Sequence, residues 1–300
     1  MVGYLFAGQG SQYVGMGKDL CEAFPAAKAV FEKADQVLGF SISDLCFNGP
    51  LEELTKTNNC QPAIVTMSIA CWQAYLNKHP QVDGYMAGLS LGEYSALVAA
   101  QAISFEDAVY LVRQRGKFME EEAQAHPGKM LSVIGLDLAG VKEICAETGG
   151  EVANINCPGQ IVVSGSAEAM VKAQVLAKEK GAKLAVMLEV SGAFHSSFMK
   201  GASEKLAREL ESINIALPKF PVISNVTGKP VLSGQEIKQN LIQQVAESVL
   251  WEDSMRLILA KGITSFIEFG PGKVLKGLMR RIDSSAQVVN IEKSADLSNI

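Results

Sequence analysis

The sequence Tyr85-Met86-Ala87-Gly88-Leu89-Ser90-Leu91-Gly92 joins a short apolar run to a G-x-S-x-G pentapeptide, and a helical pattern follows over residues 93–100. This order is typical of a nucleophile elbow, a tight strand-to-helix turn that pushes the serine hydroxyl outwards. The turn also places the backbone N–H of Leu91 at a helix N-terminus, where a developing oxyanion is stabilised. A chance Gly/Ser turn is the alternative, and the flanking strand and helix patterns favour Ser90 as a nucleophile.

The composition of the chain is ordinary for a globular protein. Of its 300 residues, 48% are hydrophobic and 20% are charged, which allows one large domain or two smaller ones. The net charge of -5 provides no overall field for binding polyanions, so we expect no nucleic-acid partner. No apolar run reaches the length of a membrane span, and the first residues lack the pattern of a secretory signal. We therefore expect a cytoplasmic protein with no membrane partner.

The cysteines indicate a reducing compartment and no metal site. None of the six forms a C-x-x-C pair or is adjacent to a histidine, so the spacing of metal ligands is absent. Their apolar surroundings are typical of buried free thiols. The six are Cys21, Cys46, Cys60, Cys71, Cys145 and Cys157.

Short apolar runs alternate with helical patterns, which predicts an α/β fold with a mostly parallel sheet. The first strand is expected over 3–7 and runs into a glycine-rich turn. Ser104 has the position of a helix cap before a long helix that runs to Glu122. The helix over 62–76 is apolar on nearly every face and is expected to be buried. Further helices are predicted over 25–38, 198–213 and 235–244, and further strands over 221–225 and 265–269.

The pattern changes after His126-Pro127-Gly128. Strands are expected over 130–136, in pieces within 151–166 and over 183–190, with helices over 138–147 and 167–180. The resulting order, β-α-β-β-α-β, is that of a ferredoxin-like unit. We therefore predict a large α/β domain formed by 1–124 and 197–300, with a small ferredoxin-like subdomain inserted at 125–196.

A serine nucleophile needs a general base, and only three histidines are available. His79 and His126 each precede a proline in polar, turn-like surroundings, which predicts surface loops. His195 follows the last strand of the small subdomain among small residues that leave room for a ligand, and it is the favoured base. A helix-capping or core histidine is the alternative. No triad acid is evident, so a Ser–His dyad is expected, its imidazole oriented by a backbone carbonyl or an amide side chain.

Arg115 lies in a charged run on the long helix after the elbow. Such runs usually form a solvated face, and this interpretation holds for Arg113 and Lys117. Arg115 can instead point towards the elbow, because its apolar neighbours indicate a partly buried face. A buried arginine needs a partner, and a substrate carboxylate would supply bidentate hydrogen bonds.

Ser90, Arg115 and His195 each lie in a short motif, and other motifs occur before, between and after them, in order and at sensible spacing. They are Gly8-Gln9-Gly10-Ser11-Gln12, the G-x-S-x-G-E around Ser90, Arg115-Gly116-Lys117, Asn156-Cys157-Pro158-Gly159-Gln160, Ala193-Phe194-His195-Ser196, Gln244 upstream of Val249-Leu250-Trp251, and Glu268-Phe269-Gly270-Pro271-Gly272. Together they resemble the malonyl-coenzyme A:acyl carrier protein transacylase family. Each motif is weak alone, and the ordered set is strongly specific and covers essentially the whole chain.

This resemblance implies a hydrolase-like α/β core with the ferredoxin-like insertion. It implies Ser90 as nucleophile, His195 as general base and then acid, and Arg115 as the partner of the malonyl carboxylate. The implied reaction is ping-pong: Ser90 takes malonyl from malonyl-CoA, and the phosphopantetheine thiol of acyl carrier protein takes it from Ser90. No cofactor is implied, because the CoA thioester is a substrate and the phosphopantetheine is carried by the partner protein.

The resemblance also assigns supporting roles. The backbone N–H groups of Gln9 and Leu91 would form the oxyanion hole, and the region of Gln244 would orient the base. Gln244 and Phe194 are expected to join Arg115 in substrate binding. The aromatic ring of Phe194 would crowd an α-methyl branch on the acyl group, and simple core packing is the alternative for this residue.

Four positions depart from the family pattern. Leu89 stands where many members have histidine, and Gly192 replaces another frequent histidine. Ala7 and Ser248 replace common prolines. The nucleophile, the base and the arginine all remain, so the departures bear on the polarity of the pocket and on its side-chain preference.

Three rival functions are open to this set of residues. A stand-alone acyltransferase of a polyketide synthase would keep every one of them. A serine hydrolase would use water as the acceptor, but a generic esterase has no need for a buried Arg115. A non-enzymatic carrier-protein-binding module would not need both Ser90 and His195.

A basic helix near the C-terminus is a candidate docking surface for an acidic carrier protein. Its cations can share one side of the helix, and an ordinary solvated face is the alternative. They are Lys273, Lys276, Arg280 and Arg281.

Overall fold

The computed structural model of the chain describes residues 1–80 and 82–298, and strands and helices alternate along it. The strands are β1 (Val2–Phe6), β2 (Gly84–Gly88), β3 (Lys129–Ile134), β4 (Glu151–Cys157), β5 (Gln160–Gly165), β6 (Leu184–Met187), β7 (Val249–Leu250), β8 (Ser265–Phe269) and β9 (Gln287–Ile291). The α-helices are α1 (Lys18–Ala23), α2 (Pro25–Leu38), α3 (Ile42–Asn48), α4 (Leu51–Thr55), α5 (Thr57–Lys78), α6 (Gly92–Ala99), α7 (Phe105–Ala125), α8 (Leu138–Thr148), α9 (Ala167–Glu179), α10 (Lys200–Glu211), α11 (Gly234–Gln244), α12 (Trp251–Ala260) and α13 (Val274–Ile282).

A parallel sheet forms the centre of the larger part of the molecule. Its strands run in the order β2-β1-β8-β9, and all three pairings are parallel. Helices cover both faces, as parallel sheets require. Tyr4 and Phe6 of β1 face the buried helix α5, whereas Leu5 faces the cluster that contains residues of α12 and α13. The predicted α/β fold with a mostly parallel sheet is confirmed.

A second sheet forms the insertion, with strand order β6-β3-β5-β4-β7. Its first four strands pair antiparallel, and with α8 and α9 they follow the β-α-β-β-α-β order that the sequence predicts. The ferredoxin-like insertion is therefore present. One apolar face of the sheet packs on α8 and α9 around Leu131, Val133 and Ile161.

The fifth strand of this sheet comes from outside the insertion. Strand β7 lies parallel to β4, with Asn154 opposite Val249 and Ile155 opposite Leu250. The small sheet is thus completed by a segment of the large domain. The domain boundaries at 124/125 and 196/197 stay a prediction.

The main difference from the sequence analysis concerns residues 221–225, which do not form a strand of either sheet. Val222 makes only an isolated parallel bridge to Met86 of the edge strand β2, and Ile223 makes an isolated antiparallel bridge to Pro230. The sequence analysis did not predict α1, α3, α4, α12, β7 or β9. Among the predicted caps, the hydroxyl of Ser104 does accept a hydrogen bond from the N–H of Asp107 at the start of α7.

Candidate active site

Ser90 lies in the turn between β2 and α6, and its backbone φ is 50°, a left-handed conformation that is costly for a residue with a side chain. Two glycines make this turn possible. A Cβ on Gly88 would lie 2.0 Å from the carbonyl carbon of Gly92, and a Cβ on Gly92 would lie 2.2 Å from the oxygen of Phe6. The backbone therefore has the geometry of the expected nucleophile elbow.

Asn225 braces this turn from the neighbouring segment. Its Oδ1 accepts the N–H of Ser90 at 2.5 Å, and its Nδ2 donates to the oxygen of Gly88 at 2.8 Å. The N–H of Asn225 in turn donates to Oε2 of Glu93 at 3.0 Å. Glu93 is buried, and its burial raises its pKa to about 7 despite these hydrogen bonds. The strained turn is thus held by a polar network on its inner side.

His195 lies beside the hydroxyl of Ser90, with 2.8 Å between Nε2 and Oγ. Its Nδ1 is 2.7 Å from the backbone oxygen of Gln244. Because a carbonyl can only accept, Nδ1 carries the proton and Nε2 is free to accept the proton of Ser90. Burial, and then the positive charge of Arg115, lower the pKa of His195 to about 4. The ring is therefore neutral at pH 7, as a general base must be.

Arg115 is buried beside the same hydroxyl, with only 1% of its surface exposed. Its Nη2 lies 3.2 Å from Oγ of Ser90 and 3.1 Å from Oε1 of Gln244, and its Nη1 lies 2.9 Å from Oε1 of Gln61. Its Nε has no hydrogen-bond partner, and no carboxylate among the described residues forms an ion pair with it. A buried cation with only neutral partners is costly, and burial accordingly lowers its pKa.

The backbone of Gln244 orients the base, as the sequence analysis expected for this region, and its predicted contact with substrate stays a prediction. Its side chain does not line the cavity at Ser90; it bonds Arg115, the oxygen of Ser90 at 3.1 Å and Oε2 of Glu93 at 2.7 Å. Its backbone oxygen orients His195. Gln244 therefore holds both the base and the arginine in place.

The expected oxyanion donors are free to act. The N–H of Ser90 is already taken by Asn225. The N–H groups of Gln9 and Leu91, in contrast, have no acceptor within the part of the chain that the structure describes. Leu91 immediately precedes α6, so its N–H benefits from the positive end of that helix. Their role as an oxyanion hole stays a prediction.

A cavity of about 570 Å³ opens onto Ser90 and His195 between the two sheets. That size suits a small-molecule site. Phe194 and Leu89 line it, and the role of Phe194 in acyl choice stays a prediction, since this residue also belongs to the large core cluster. The other lining residues are Gln9, Gly10, Gln12, Glu52, Thr55, Lys56, Thr57, Arg115, Met119, Glu120, Met130, Ser132, Asn154, Asn156, Gln160, Val162, Leu188, Glu189, Val190, Ser191 and Val274.

Three of the four departures from the family pattern make local contacts that suit the residue present, and nothing in the structure explains Leu89. A Cβ on Gly192 would lie 2.6 Å from the Cβ of Ala123, so this backbone leaves no space for a larger side chain. The N–H of Ala7 donates to the oxygen of Phe269 at 3.0 Å, a bond that proline could not make. Ser248 donates through Oγ to the oxygen of Val152.

Two other sequence interpretations need correction. Arg113 is half-buried rather than solvated, because it lies over the ring of Phe40 and donates to the oxygen of Asn58 at 2.6 Å. His79 is also partly buried and stacks on Tyr75 with 5.0 Å between ring centroids. His126 is exposed, as expected. Neither of these histidines lines the cavity.

Sequence reasoning missed Gln61 and Asn225 and gave no role to Glu93. Gln61 carried no distinctive signal within the apolar helix α5. Asn225 stood at the end of an expected strand, where polar residues of parallel sheets gather, and this position could have pointed to it. Among the described residues, no group of three His, Cys, Asp or Glu side chains has the arrangement of a metal site.

The parallel sheet, the strained serine and its neutral histidine define an α/β protein of the serine hydrolase and acyltransferase class. The acyl transferase domain family matches residues 3–295. The chain is 47% identical to the malonyl CoA-acyl carrier protein transacylase of Bacillus subtilis (strain 168) over 97% of this chain and 93% of that protein. The chain belongs to the malonyl-CoA:acyl carrier protein transacylase family.

Solved structures agree with this membership. An acyl-carrier-protein S-malonyltransferase from Bartonella henselae superposes with a TM-score of 0.96 at 39% identity, covering 100% of this chain and 98% of that one. The malonyl-transacylase PlMCAT, solved with the type II polyketide synthase acyl-carrier protein AntF, superposes with a TM-score of 0.96 at 40% identity, covering 99% of this chain and 98% of that one.

Proposed function

We propose that the protein transfers a malonyl group from malonyl-CoA to the phosphopantetheine thiol of acyl carrier protein, through a malonyl ester on Ser90, in fatty acid biosynthesis. The observation that carries the proposal is the buried guanidinium of Arg115, which lies 3.2 Å from the hydroxyl of Ser90 and has no carboxylate partner among residues 1–80 and 82–298. The free carboxylate of malonyl would supply that partner.

The first half-reaction forms the acyl-enzyme. The oxygen of Ser90 attacks the thioester carbonyl while its proton passes to Nε2 of His195. The N–H groups of Gln9 and Leu91 stabilise the oxyanion. The intermediate collapses, the carbon–sulfur bond breaks, and the proton on His195 passes to the sulfur of the departing CoA.

The second half-reaction is the reverse with a new thiol. His195 takes the proton of the phosphopantetheine thiol, whose sulfur attacks the malonyl ester. The carbon–oxygen bond to Ser90 breaks, and His195 returns the proton to the serine oxygen. Bonds and protons balance over the cycle, so we propose that the reaction needs no cofactor.

The buried Arg115 beside the nucleophile distinguishes the proposed function from its rivals. A serine hydrolase has no use for a buried arginine at its nucleophile, and the arrangement therefore favours transfer of a carboxylated acyl group. The type II polyketide carrier bound to PlMCAT makes a polyketide carrier a second candidate acceptor.

We also propose a cytoplasmic location, which the six free cysteines favour. No helix of the described residues is long and apolar enough to span a bilayer.

The test is intact mass spectrometry of the protein after exposure to malonyl-, acetyl- and methylmalonyl-CoA. The wild-type chain should gain one malonyl group, acetyl should add poorly, and later addition of acyl carrier protein should remove the adduct. Ser90→Ala should gain nothing, whereas Ser212→Ala, at an exposed serine, should behave as wild type. A malonyl adduct on the Ser90→Ala protein would refute the assignment of the nucleophile, and wild-type hydrolysis without transfer would favour the hydrolase.

A further inference from the structure

Glu93 is a buried carboxyl group behind the nucleophile, and the reaction steps proposed above do not use it. It is only 1% exposed, and it is not among the residues that line the cavity. Its Oε2 accepts hydrogen bonds from the N–H of Asn225 at 3.0 Å and from Nε2 of Gln244 at 2.7 Å. Both donors are neutral, and a buried carboxylate is costly unless a positive charge compensates it.

A single amide side chain connects Glu93 to Arg115. Gln244 donates to Glu93 through Nε2, and its Oε1 accepts a hydrogen bond from Nη2 of Arg115 at 3.1 Å. An amide that accepts from a cation and donates to an anion is polarised by both, and hydrogen bonds in such a chain strengthen one another in a low-dielectric interior. Arg115 and Glu93 therefore form a charge pair that is separated by a neutral amide.

Arg115 is the charged group that acts on Glu93 from the elements around it. Burial raises the pKa of Glu93 to about 7, and the hydrogen bonds from Asn225 and Gln244 and then the charge of Arg115 lower it. Helix α6 packs most closely on β1, β2, α5 and α7. Neither strand contains a charged residue, and the only one on α5, Lys78, is exposed at the end of that helix.

The remaining titratable groups nearby are neutral or paired elsewhere. Tyr94 follows Glu93 on α6, and the thiols of Cys60 and Cys71 lie on α5; burial raises the pKa of all three groups, so they stay protonated. On α7, the buried Glu122 pairs with Lys205 at 3.3 Å. The charged residues of α11 lie in its first two turns, whereas Gln244 is its last residue.

We propose that Glu93 is an exchangeable counter-charge for Arg115, ionised at pH 8 while no acyl group is bound and protonated when the malonyl carboxylate pairs with Arg115. The inference rests on the proposed function, because that function brings a carboxylate to Arg115. One negative charge then balances the guanidinium before and after docking. The proton comes from the solvent and returns to it when malonyl leaves, so none is gained or lost over the cycle. Glu93 acts through Gln244 and Arg115 and is a positioning residue.

Malonyl and acetyl donors should therefore differ in their pH dependence. An ionised Glu93 competes with the malonyl carboxylate for the charge of Arg115, whereas acetyl has no carboxylate. Because the malonyl complex binds more protons than the free enzyme, malonyl capture should weaken as the pH rises above about 7. His195 titrates near pH 4, well below this range, and the phosphates of CoA are common to both donors.

The first test is the ratio of kcat/KM for malonyl-CoA to that for acetyl-CoA between pH 6 and pH 9. In the wild type this ratio should fall about tenfold, which corresponds to a rise of about one unit in the pKa of Glu93 on docking. Glu93→Gln has the shape of the protonated side chain, so its ratio should be level with pH and should exceed that of the wild type about fivefold to tenfold at pH 8.5. Glu179→Gln, at an exposed position on α9, is the matched control and should follow the wild type.

The second test measures the proton directly and needs no change at Glu93, so it holds even if Glu93→Gln does not fold. Titration calorimetry of the Ser90→Ala protein in two buffers of different ionisation heat gives the number of protons bound with each ligand. At pH 7.5 malonyl-CoA should bring in about half a proton more than acetyl-CoA.

Three results would overturn the counter-charge while leaving the proposed function standing. They are a wild-type ratio that is level with pH, a Glu93→Gln protein whose ratio falls as in the wild type, and equal proton uptake with the two ligands. Failure of the wild-type chain to take malonyl from malonyl-CoA at any pH would overturn the proposed function and this inference together.

Discussion

The guanidinium of Arg115 and the hydroxyl of Ser90 lie 3.2 Å apart, so a cation and a nucleophile share one buried corner of the cavity. This closeness has two consequences. A carboxylate held by Arg115 brings its own acyl carbon to the serine, and the charge of Arg115 lowers the basicity of His195 on the other side of the same oxygen. Substrate choice and proton transfer are therefore linked at this site.

Arg115→Ala should cut malonyl transfer by the loss of an interaction worth about 2–5 kcal/mol, much of it the cost of leaving the substrate carboxylate unpaired. Acetyl transfer has no carboxylate to lose and should fall far less or even rise. Arg115→Lys should restore malonyl transfer only in part, because an ammonium cannot form the bidentate pair. The measurement is kcat/KM for both acyl-CoA substrates, with circular dichroism as the folding control. A parallel drop in both activities of a folded Arg115→Ala protein would mean that Arg115 is structural.

The pH profile of acylation should be set by His195. Since the pKa of the free enzyme's imidazole is about 4, kcat/KM should stay level from pH 8 down to pH 5 and fall as the pH drops through about 4. Arg115→Ala removes a nearby positive charge, so the pKa of His195 and the midpoint of this fall should both move upwards. Acetyl-CoA is the substrate to use, because it has no carboxylate of its own to titrate. A midpoint near 6.5 in the wild type would contradict the neutral, desolvated imidazole.

Glu93 should make the protein less stable as the pH rises. Burial raises its pKa from 4.5 to about 7, so between these values the unfolded chain is ionised while the folded chain holds the proton. This contribution to stability is complete below pH 4.5 and is lost by pH 7, and the displacement corresponds to about 3 kcal/mol. Glu93→Gln should therefore gain stability relative to wild type between pH 5 and pH 8. Urea unfolding at several pH values would measure this, with Glu179→Gln at an exposed site as the control; parallel curves for wild type and Glu93→Gln would contradict the prediction.

Phe194→Ser should raise the ratio of kcat/KM for methylmalonyl-CoA to that for malonyl-CoA. The ring is 6% exposed and lines the cavity directly before the base, so its removal makes room for an α-methyl branch. The effect should be modest, because apolar pockets discriminate a methyl group by about 1–3 kcal/mol. Competition between the two substrates, read by the mass of the adduct on Ser90, measures the ratio directly. If the ratio does not change, Phe194 only packs.

Reversal of two charges on α13 should weaken transfer to acyl carrier protein. Lys276 and Arg280 are exposed one turn apart on a helix whose first residue lines the cavity. Lys276→Glu with Arg280→Glu should slow the second half-reaction, most at low salt, and spare self-acylation from malonyl-CoA. Glutamate at Lys172 and Lys178 of α9, which are exposed and distant in sequence, is a control of equal charge. Equal losses in both half-reactions would point to damage to the fold.

Much of the fold was predictable because its signals are local. The elbow, the cap at Ser104 and the β-α-β-β-α-β order each depend on residues close together in sequence. The segment 221–225 has the composition of a strand, but it pairs with β2 only through the isolated bridge between Val222 and Met86, the central residue of β2. Whether an extended segment pairs along its length depends on the neighbouring strands, which composition does not report.

The active site also combines residues that the sequence could identify with contacts that it could not. Ser90, His195 and Arg115 are chemically distinctive and could be found from sequence, and the structure brings all three together. The orienting group of His195 is a backbone carbonyl, which any residue at position 244 could provide, so no side-chain signal exists for it. The side chain of Gln244 does other work, and only its contacts with Arg115 and Glu93 reveal it.

The short strand β7 constrains any attempt to exchange the small subdomain for that of a relative. A chimera cut at 125 and 196 would place the β4 of the relative beside the β7 of this chain. In this protein β7 pairs with β4 at Asn154 and Ile155. The histidine at position 195 would also come from the relative, whereas the backbone oxygen of Gln244 that orients it would come from this chain. The module that can move intact therefore consists of two separate pieces of chain, the insertion and residues 244–250.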